Sequence, residues 1–320
     1  MIIIVWYPIF NTLIKFMKFY NSIFGLIKKF QDTVARGGFD DALLATVSTI
    51  SNTFDLYNEQ ECELNFVSEF YPSFNKDKNL LQIELPGYSL LVSKDDPGIS
   101  YDLMIRGIRE YRSYWQYRRL LKKLPKNPLI LEIGANIGYY AIAAAVDRPD
   151  ATVLCAELDP GNIEILNKNI QLNELKNLKV ENIAISDVND YKNFVHDSRS
   201  NRHYLEAPTI DSDNLVRCVT ANNFLSDFGY SQNDVNCLRM DVEGHETEVL
   251  SGLKNISPEL AHIELHPYKI HPTKWKSMIT QLHSWDLKPI LVEFKGKCIK
   301  CADIRDIPAH DYCEVVLSSN

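Results

Sequence analysis

The run Leu129-Ile130-Leu131-Glu132-Ile133-Gly134-Ala135-Asn136-Ile137-Gly138 limits what this chain can fold into more than any other stretch. Leu129 to Ile133 has the length of an interior strand, and Pro128 stands where a strand can begin. Gly134 and Gly138 permit a tight turn and a close approach of backbone to a ligand that side chains would block. Tyr139 to Val146 then has helical character, so the free N–H groups of its first turn face whatever the loop holds.

The spacing is not that of the dinucleotide fingerprint G-x-G-x-x-G, because these glycines are separated by Ala135, Asn136 and Ile137. Glu132 also precedes the first glycine. A carboxylate there repels a pyrophosphate and suits a ligand with positive charge. S-adenosylmethionine (SAM), with its ammonium and sulfonium, is such a ligand. A strand-glycine-helix turn that binds nothing has the same local pattern.

The chain has 320 residues, enough for one large domain and an appendage. Its composition, 45% hydrophobic and 24% charged, is that of a globular protein. The net charge of −8 argues against a broad grip on nucleic-acid phosphates. Seven cysteines, odd in number and scattered, fit reduced thiols in an intracellular, cytoplasmic protein. Cys298, Cys301, His310 and Cys313 are zinc-capable residue types, but their spacing is not that of a zinc knuckle, and plain thiols are expected.

Residues 1–30 carry Lys15, Lys18, Lys28 and Lys29 and no acid, which leaves −12 for the rest of the chain. The uncharged opening is shorter than the ~20 residues that span a bilayer. It also lacks a basic leader and an evident cleavage site, so it does not resemble a signal peptide. From Asn11 a polar stripe of Asn11, Lys15, Lys18, Ser22, Gly25 and Lys29 runs along an otherwise apolar helix. Such a helix either lies peripherally on a membrane with its lysines toward anionic head groups, or docks on protein.

Residues 31–125 are expected to form an extension of helices and one hairpin. Phe39 to Phe54 has helical spacing after Gly37-Gly38, Leu80 to Val92 alternates around Pro86-Gly87, and Ser100 to Leu124 is expected to be one helix. From 126 to 320 strands and helices alternate, the pattern of a parallel sheet covered on both faces. Strands are expected at Thr152–Ala156, Leu178–Ile185, Val235–Met240 and Leu260–Leu265, with Pro289–Phe294 and Tyr312–Leu317 as a closing hairpin. Tyr191 to Val216 is polar and mixed, and is expected to be an insertion or flexible lid.

Ligands in such sheets sit beyond the carboxyl ends of the strands. Polar residues gather there. Glu157 ends the second strand at the position that accepts hydrogen bonds from ribose hydroxyls, with a helix cap as the alternative; Asp159 before Pro160 is a helix start. Ser186 and Asp187 follow the third strand, either reaching an adenine amino group or forming a plain turn. Asp241 and Glu243, and likewise Glu264 and His266, come from the next two strand ends. Residues two apart share a face, so three carboxylates and an imidazole are expected in a small volume, partly neutralised by Arg239. The cluster suits proton handling or a divalent metal with mixed O and N ligands, the metal being the less favoured.

Taken together, Leu131 to Tyr140, Glu157-Leu158-Asp159-Pro160, Ala184 to Asp187, Met240-Asp241-Val242-Glu243-Gly244 and Ile263 to Pro267 resemble the FkbM family of SAM-dependent methyltransferases. The resemblance covers about Leu129 to His266, and the segment from Gly98 to Glu110 is similar to one that precedes the domain in some members. It implies a Rossmann-like class I α/β fold, a mostly parallel seven-stranded sheet with an antiparallel C-terminal hairpin, here behind an N-terminal helical extension. It also implies O-methylation of a hydroxyl on a sugar, glycan or secondary metabolite. By this similarity Glu132, Gly134, Asn136 and Gly138 hold the methionine end, Glu157 the ribose and Asp187 the adenine. Leu158 in place of proline and His245 in place of a small residue depart from the pattern.

The expected chemistry is an in-line displacement in which His266, or else Asp241, takes the hydroxyl proton while Glu264 orients His266. His266 is preferred because an unperturbed imidazole titrates near pH ~6.5. The competing reading is a SAM-type fold kept as an inactive scaffold or a membrane-tethered interaction protein.

Overall fold

The computed structural model describes residues 79–195, 204–206, 215–254, 256–294 and 297–319. The expected helices of residues 1–30 and 31–58 lie outside the described residues. The described part falls in one compact unit of residues 71–320.

Strand β3 (Leu129–Ile133) is buried at every position, as a central strand of an α/β sheet must be. It is flanked by β4 (Thr152–Glu157) and β10 (Val235–Met240), both parallel to it. Beyond them lie β5 (Leu178–Asn182) on one side and β11 (Leu260–Leu265) on the other, also parallel. Strand β14 (Cys313–Ser318) enters antiparallel between β11 and β12 (Lys288–Phe294), and the two-residue β13 (Lys297–Cys298) closes that edge. The order is β13-β12-β14-β11-β10-β3-β4-β5, eight strands among the described residues. The strand order reverses between β3 and β10, which places a crevice at their carboxyl ends.

Helix α3 (Tyr139–Asp147) follows β3. Its four alanines carry little bulk, which lets it lie close on the sheet, and it is buried from Tyr139 to Ala145. Helix α4 (Pro160–Leu172) starts as expected: Asp159 accepts the Asn162 N–H at 2.9 Å, with Pro160 in the first turn. The remaining helices are α5 (Ala221–Asp227), α6 (Glu246–Gly252) and α7 (Pro272–Ser284).

Three local expectations need correction. The strand expected over 178–185 splits at Ile183. The Asn182 amide donates to the carbonyls of Glu157 (3.1 Å) and Leu158 (2.9 Å), closing off the β4 ladder. Then β6 (Ala184–Ser186) leaves for a second sheet of order β6-β9-β7-β8. That sheet contains β7 (Asp190–Val195), β8 (Tyr204–Glu206) and β9 (Leu215–Thr220), strands that overlap the segment expected to be an insertion or lid. Tyr191, Tyr204 and Leu215 are exposed while Phe194, Cys218 and Val219 are buried, so apolar residues do not alternate in step with burial and the pattern does not mark strands.

The third correction concerns the expected helix over 100–124, which is two helices, α1 (Ile99–Arg106) and α2 (Tyr111–Leu121). Gly107 (φ 71°) and Glu110 (φ 50°) both take left-handed backbone conformations between them. The hairpin of β1 (Leu80–Leu85) and β2 (Tyr88–Ser93) forms around Pro86-Gly87 as its alternation implies. Its β2 edge is not left open. Asn169 of α4 and Asn173, which follows the helix, accept from the N–H groups of Leu91 (2.6 Å) and Ser89 (3.0 Å). They also donate back to those residues' carbonyls, at 3.2 and 2.7 Å, as a further strand would.

Candidate functional site

A cleft of about 870 Å³, counting its open mouth, lies at the carboxyl ends of β3, β4 and β10. That is within the size range of a small-molecule site. One half is built by the glycine turn. The N–H groups of Gly134 and Ala135 donate to the Ala156 carbonyl at 2.9 and 3.3 Å, pinning the turn to β4. At Gly134 (φ 81°) a Cβ would sit 1.8 Å from the Asp241 carbonyl oxygen, so only glycine fits. Asn136 continues the turn at φ 51°, and its N–H donates to Glu157 Oε2 at 2.7 Å. The Asp159 N–H donates to Glu157 Oε1 at 2.8 Å. Burial raises the Glu157 carboxyl to about 7 despite these donors.

Glu132 lies in the same half, 1% exposed, and neither of its oxygens has a hydrogen-bond partner. Burial lifts its carboxyl to about 7; Arg239 opposes that shift, while the charges of Asp241 and Glu157 add to it. Gly138 does not line the cleft. At φ 92° it packs under Leu166, whose Cδ1 would lie 2.3 Å from an added Cβ. Asp187 is likewise outside the lining, where its carboxylate accepts from Ser186 Oγ at 3.1 Å. Ile183, Ala184 and Ile185 occupy that wall instead. His245 lines the cleft, 3.1 Å from Ser186 Oγ through Nε2. Burial and the Lys192 charge hold its imidazole down at about 4.

The other half carries the carboxylate cluster. Asp241 and Glu243 line the cleft, and Glu264 and His266 stand behind them. One donor atom from each of these four residues lies within 4.8 Å of all the others. Arg239 reaches Asp241 at 3.4 Å and lays its guanidinium over the Tyr140 ring at 4.5 Å, so the expected partial neutralisation is in place. Lys269 binds Glu243 at 2.7 Å. His266 is held on both nitrogens: Nδ1 lies 2.6 Å from Glu246 Oε1, and Nε2 lies 3.3 Å from Glu264 and 3.4 Å from Glu243. Burial alone would lower its pKa, but bonds to Glu246 and Glu264 raise it to about 11. With carboxylates on both ring nitrogens, His266 is held here as an ion-paired group facing Glu246 and Glu264. Asp241, the alternative, faces the cleft with Oδ1 unpartnered. Burial and Glu264 push its carboxyl up to about 7, against Arg239.

The sequence reasoning missed the roof. The break between α1 and α2 delivers Arg109 and Glu110 to the cleft. Tyr139 and Tyr140, the first residues of α3, fix that break. The Tyr139 hydroxyl accepts from the Arg109 N–H at 3.1 Å and lies 3.0 Å from the Arg109 carbonyl, while Tyr140 donates to Glu110 Oε2 at 2.8 Å. Arg109 pairs with Glu110 at 2.6 Å. Burial would raise the Glu110 carboxyl, but Arg109 and Arg239 bring it down to about 2. The signal in the sequence is Gly107 in the middle of a run otherwise suited to one helix. Tyr204 and Leu205 of β8 also reach the cleft.

Among the described residues, Cys298, Cys301, His310 and Cys313 are not gathered as a metal-donor group. Cys298 is exposed, Cys313 is buried, and the His310 ring lies against Phe294 at 4.9 Å. Among the described residues no helix is long and apolar enough to cross a membrane.

Comparison with known proteins places this cleft in context. Residues 132–286 match the family model described as the methyltransferase FkbM domain. No curated protein matches the chain. Solved structures resemble the chain at low identity and low TM-score. The precorrin-6y C5,15-methyltransferase of Geobacter metallireducens GS-15 is 11% identical, with a TM-score of 0.36, over 63% of this chain and 87% of that one. M. jannaschii TYW2 in complex with AdoMet is 14% identical, with a TM-score of 0.36, over 75% of this chain and 85% of that one. The Pyrococcus abyssi tRNA (uracil-54, C5)-methyltransferase bound to S-adenosyl-L-homocysteine is 12% identical, with a TM-score of 0.41, over 75% of this chain and 44% of that one.

Proposed function

Because residues 132–286 form an FkbM methyltransferase domain, we propose that the cleft binds SAM and that the chain methylates a hydroxyl of a sugar, glycan or similar polyhydroxy molecule. The observation that carries this reading is Glu132: a buried carboxylate in the cleft with both oxygens unpartnered. Such a group is costly to hold, and a ligand ammonium supplies both the charge and the donors it lacks. The Gly134 turn keeps side chains out of the way, and Glu157 has remaining lone pairs for ribose hydroxyls. The Ile183 to Ile185 wall gives an apolar slot for adenine in place of the expected Asp187 contact. When bound, SAM supplies an electrophilic methyl group on a sulfonium.

The chain's own task is then to hold the acceptor oxygen in line and take its proton. Asp241 does the second, through the oxygen that has no other partner. His266, Glu264 and Glu243 keep Asp241's surroundings charged and fixed. Positioning can supply ~7–11 kcal/mol, and a general base a factor of ~10²–10⁴, so orientation carries most of the acceleration. Acid residues around the acceptor half accept hydroxyl hydrogen bonds and repel phosphate chains, which favours a neutral polyol over nucleic acid.

The test is incubation of the full chain with isotope-labelled SAM and a panel of sugar nucleotides, glycans and lipid-linked saccharides. A methyl ether on one class, located by fragmentation mass spectrometry, is the expected product. Label on nitrogen or carbon would overturn the hydroxyl assignment. SAM binding without transfer to any acceptor would favour the scaffold reading.

A further inference from the structure

We propose that Asp241, Glu243, Glu264 and His266 form a binding site for a divalent cation of Mn²⁺-like hardness, with its open positions toward the acceptor. The role at the acceptor rests on the methyl-transfer reading; the binding itself does not. Three oxygens and one imidazole nitrogen that lie within 4.8 Å of one another need only a small contraction to share one ion. Carboxylates with a single imidazole are a ligand set for Mn²⁺ and its neighbours, harder than a thiolate site and softer than an all-oxygen one.

A second feature points the same way. Glu246 is wholly buried and grips His266 Nδ1 at 2.6 Å, which aims Nε2 between Glu243 and Glu264. A carboxylate on the far nitrogen is how metal-ligating histidines are oriented. Two oxygens of the group, Asp241 Oδ1 and Glu246 Oε2, are buried without a hydrogen-bond partner. Asp241 and Glu243 face the cleft while Glu264 and His266 lie behind, so the ion would be reached from the cleft side. There it would hold the acceptor hydroxyl in place.

The experiment uses the full chain stripped with EDTA and titrated with Mn²⁺, uptake being read from loss of the free-ion electron paramagnetic resonance signal. S-adenosylhomocysteine (SAH) binding is measured calorimetrically on the same samples. The expected result is one Mn²⁺ per chain, uptake lost in Asp241→Asn and Glu264→Gln, and about 10–100-fold weaker uptake in Glu246→Gln. All three variants keep SAH binding, which shows that they are folded. Because Glu246 is fully buried, the partly exposed Glu264 variant decides if Glu246→Gln does not fold. A chain that binds SAH but takes up no Mn²⁺, or whose uptake is indifferent to Asp241→Asn and Glu264→Gln, overturns the proposal. Mn²⁺ uptake without any SAH binding would leave the cation site standing and remove the methyl-transfer reading.

Discussion

The two halves of the cleft are built in opposite ways. The glycine half comes from one short stretch, Glu132 to Tyr140, supported by Glu157 across a single parallel ladder. The N–H groups of its turn, Gly134 to Gly138, already have partners, and what it lacks is a positive charge for Glu132. The carboxylate half is assembled from β10, β11, the start of α6 and the break between α1 and α2. It is crowded with charge, and its ion pairs with Arg239, Lys269 and His266 tie distant segments together. On the proposed reading, cofactor recognition is local while acceptor recognition is a tertiary product. Substitutions in the first half should change binding of the nucleoside. Substitutions in the second should change turnover.

The largest break in that pattern is expected from Gly134→Ala, since the Asp241 carbonyl is where the new Cβ would go. The backbone strain alone costs ~1–3 kcal/mol. SAH binding should vanish in calorimetry and the melting temperature should fall, because this turn also anchors β10. Next comes Asp241→Asn, which should lower kcat by ~10²–10⁴ and leave SAH affinity as it was. A loss of affinity of that size would erase the division between the halves.

Glu132→Gln should weaken SAH by about 10–100-fold, the worth of a charge-assisted hydrogen bond. It should also stabilise the free protein. With its carboxyl raised to about 7, Glu132 favours the folded state below its unfolded pKa, and that contribution is lost as pH rises through about 7. The glutamine variant should therefore melt higher than the wild type at pH 8, with the difference shrinking toward pH 5. The smallest effect is on wild-type affinity. Glu132 must ionise to meet the ligand ammonium, so SAH should bind about tenfold more tightly at pH 8 than at pH 6. Titrations in buffers of different ionisation heat would count the protons released.

What could be read from the sequence follows the same division. Strand β3, the turn, Glu157 and Asp159 are neighbours along the chain, and their apolar run, glycines and cap signals are local. The β1–β2 hairpin was legible for the same reason. The acceptor half was legible in its members but not in its chemistry. Residue types predict that Asp241, Glu243, Glu264 and His266 meet. They do not show that Glu246, a residue of the next helix, occupies Nδ1 of His266 and holds it as an ion-paired group. Arg109 and Glu110 were hidden because helix propensity runs on through Gly107. Tyr139 and Tyr140, from another helix, bond to the break and hold it open. The small sheet from β6 to β9 was missed because its strands bury few side chains.

The central claim is that Glu132, beside the Gly134 turn, receives the ammonium of a SAM-type nucleoside. Calorimetric titration of the full chain with SAH and with 5′-methylthioadenosine, which lacks the amino-acid end, tests it most directly. SAH should bind one per chain and more tightly than 5′-methylthioadenosine, and Glu132→Gln should narrow the gap by weakening SAH alone. No binding of SAH, or equal affinity for both nucleosides, would contradict it.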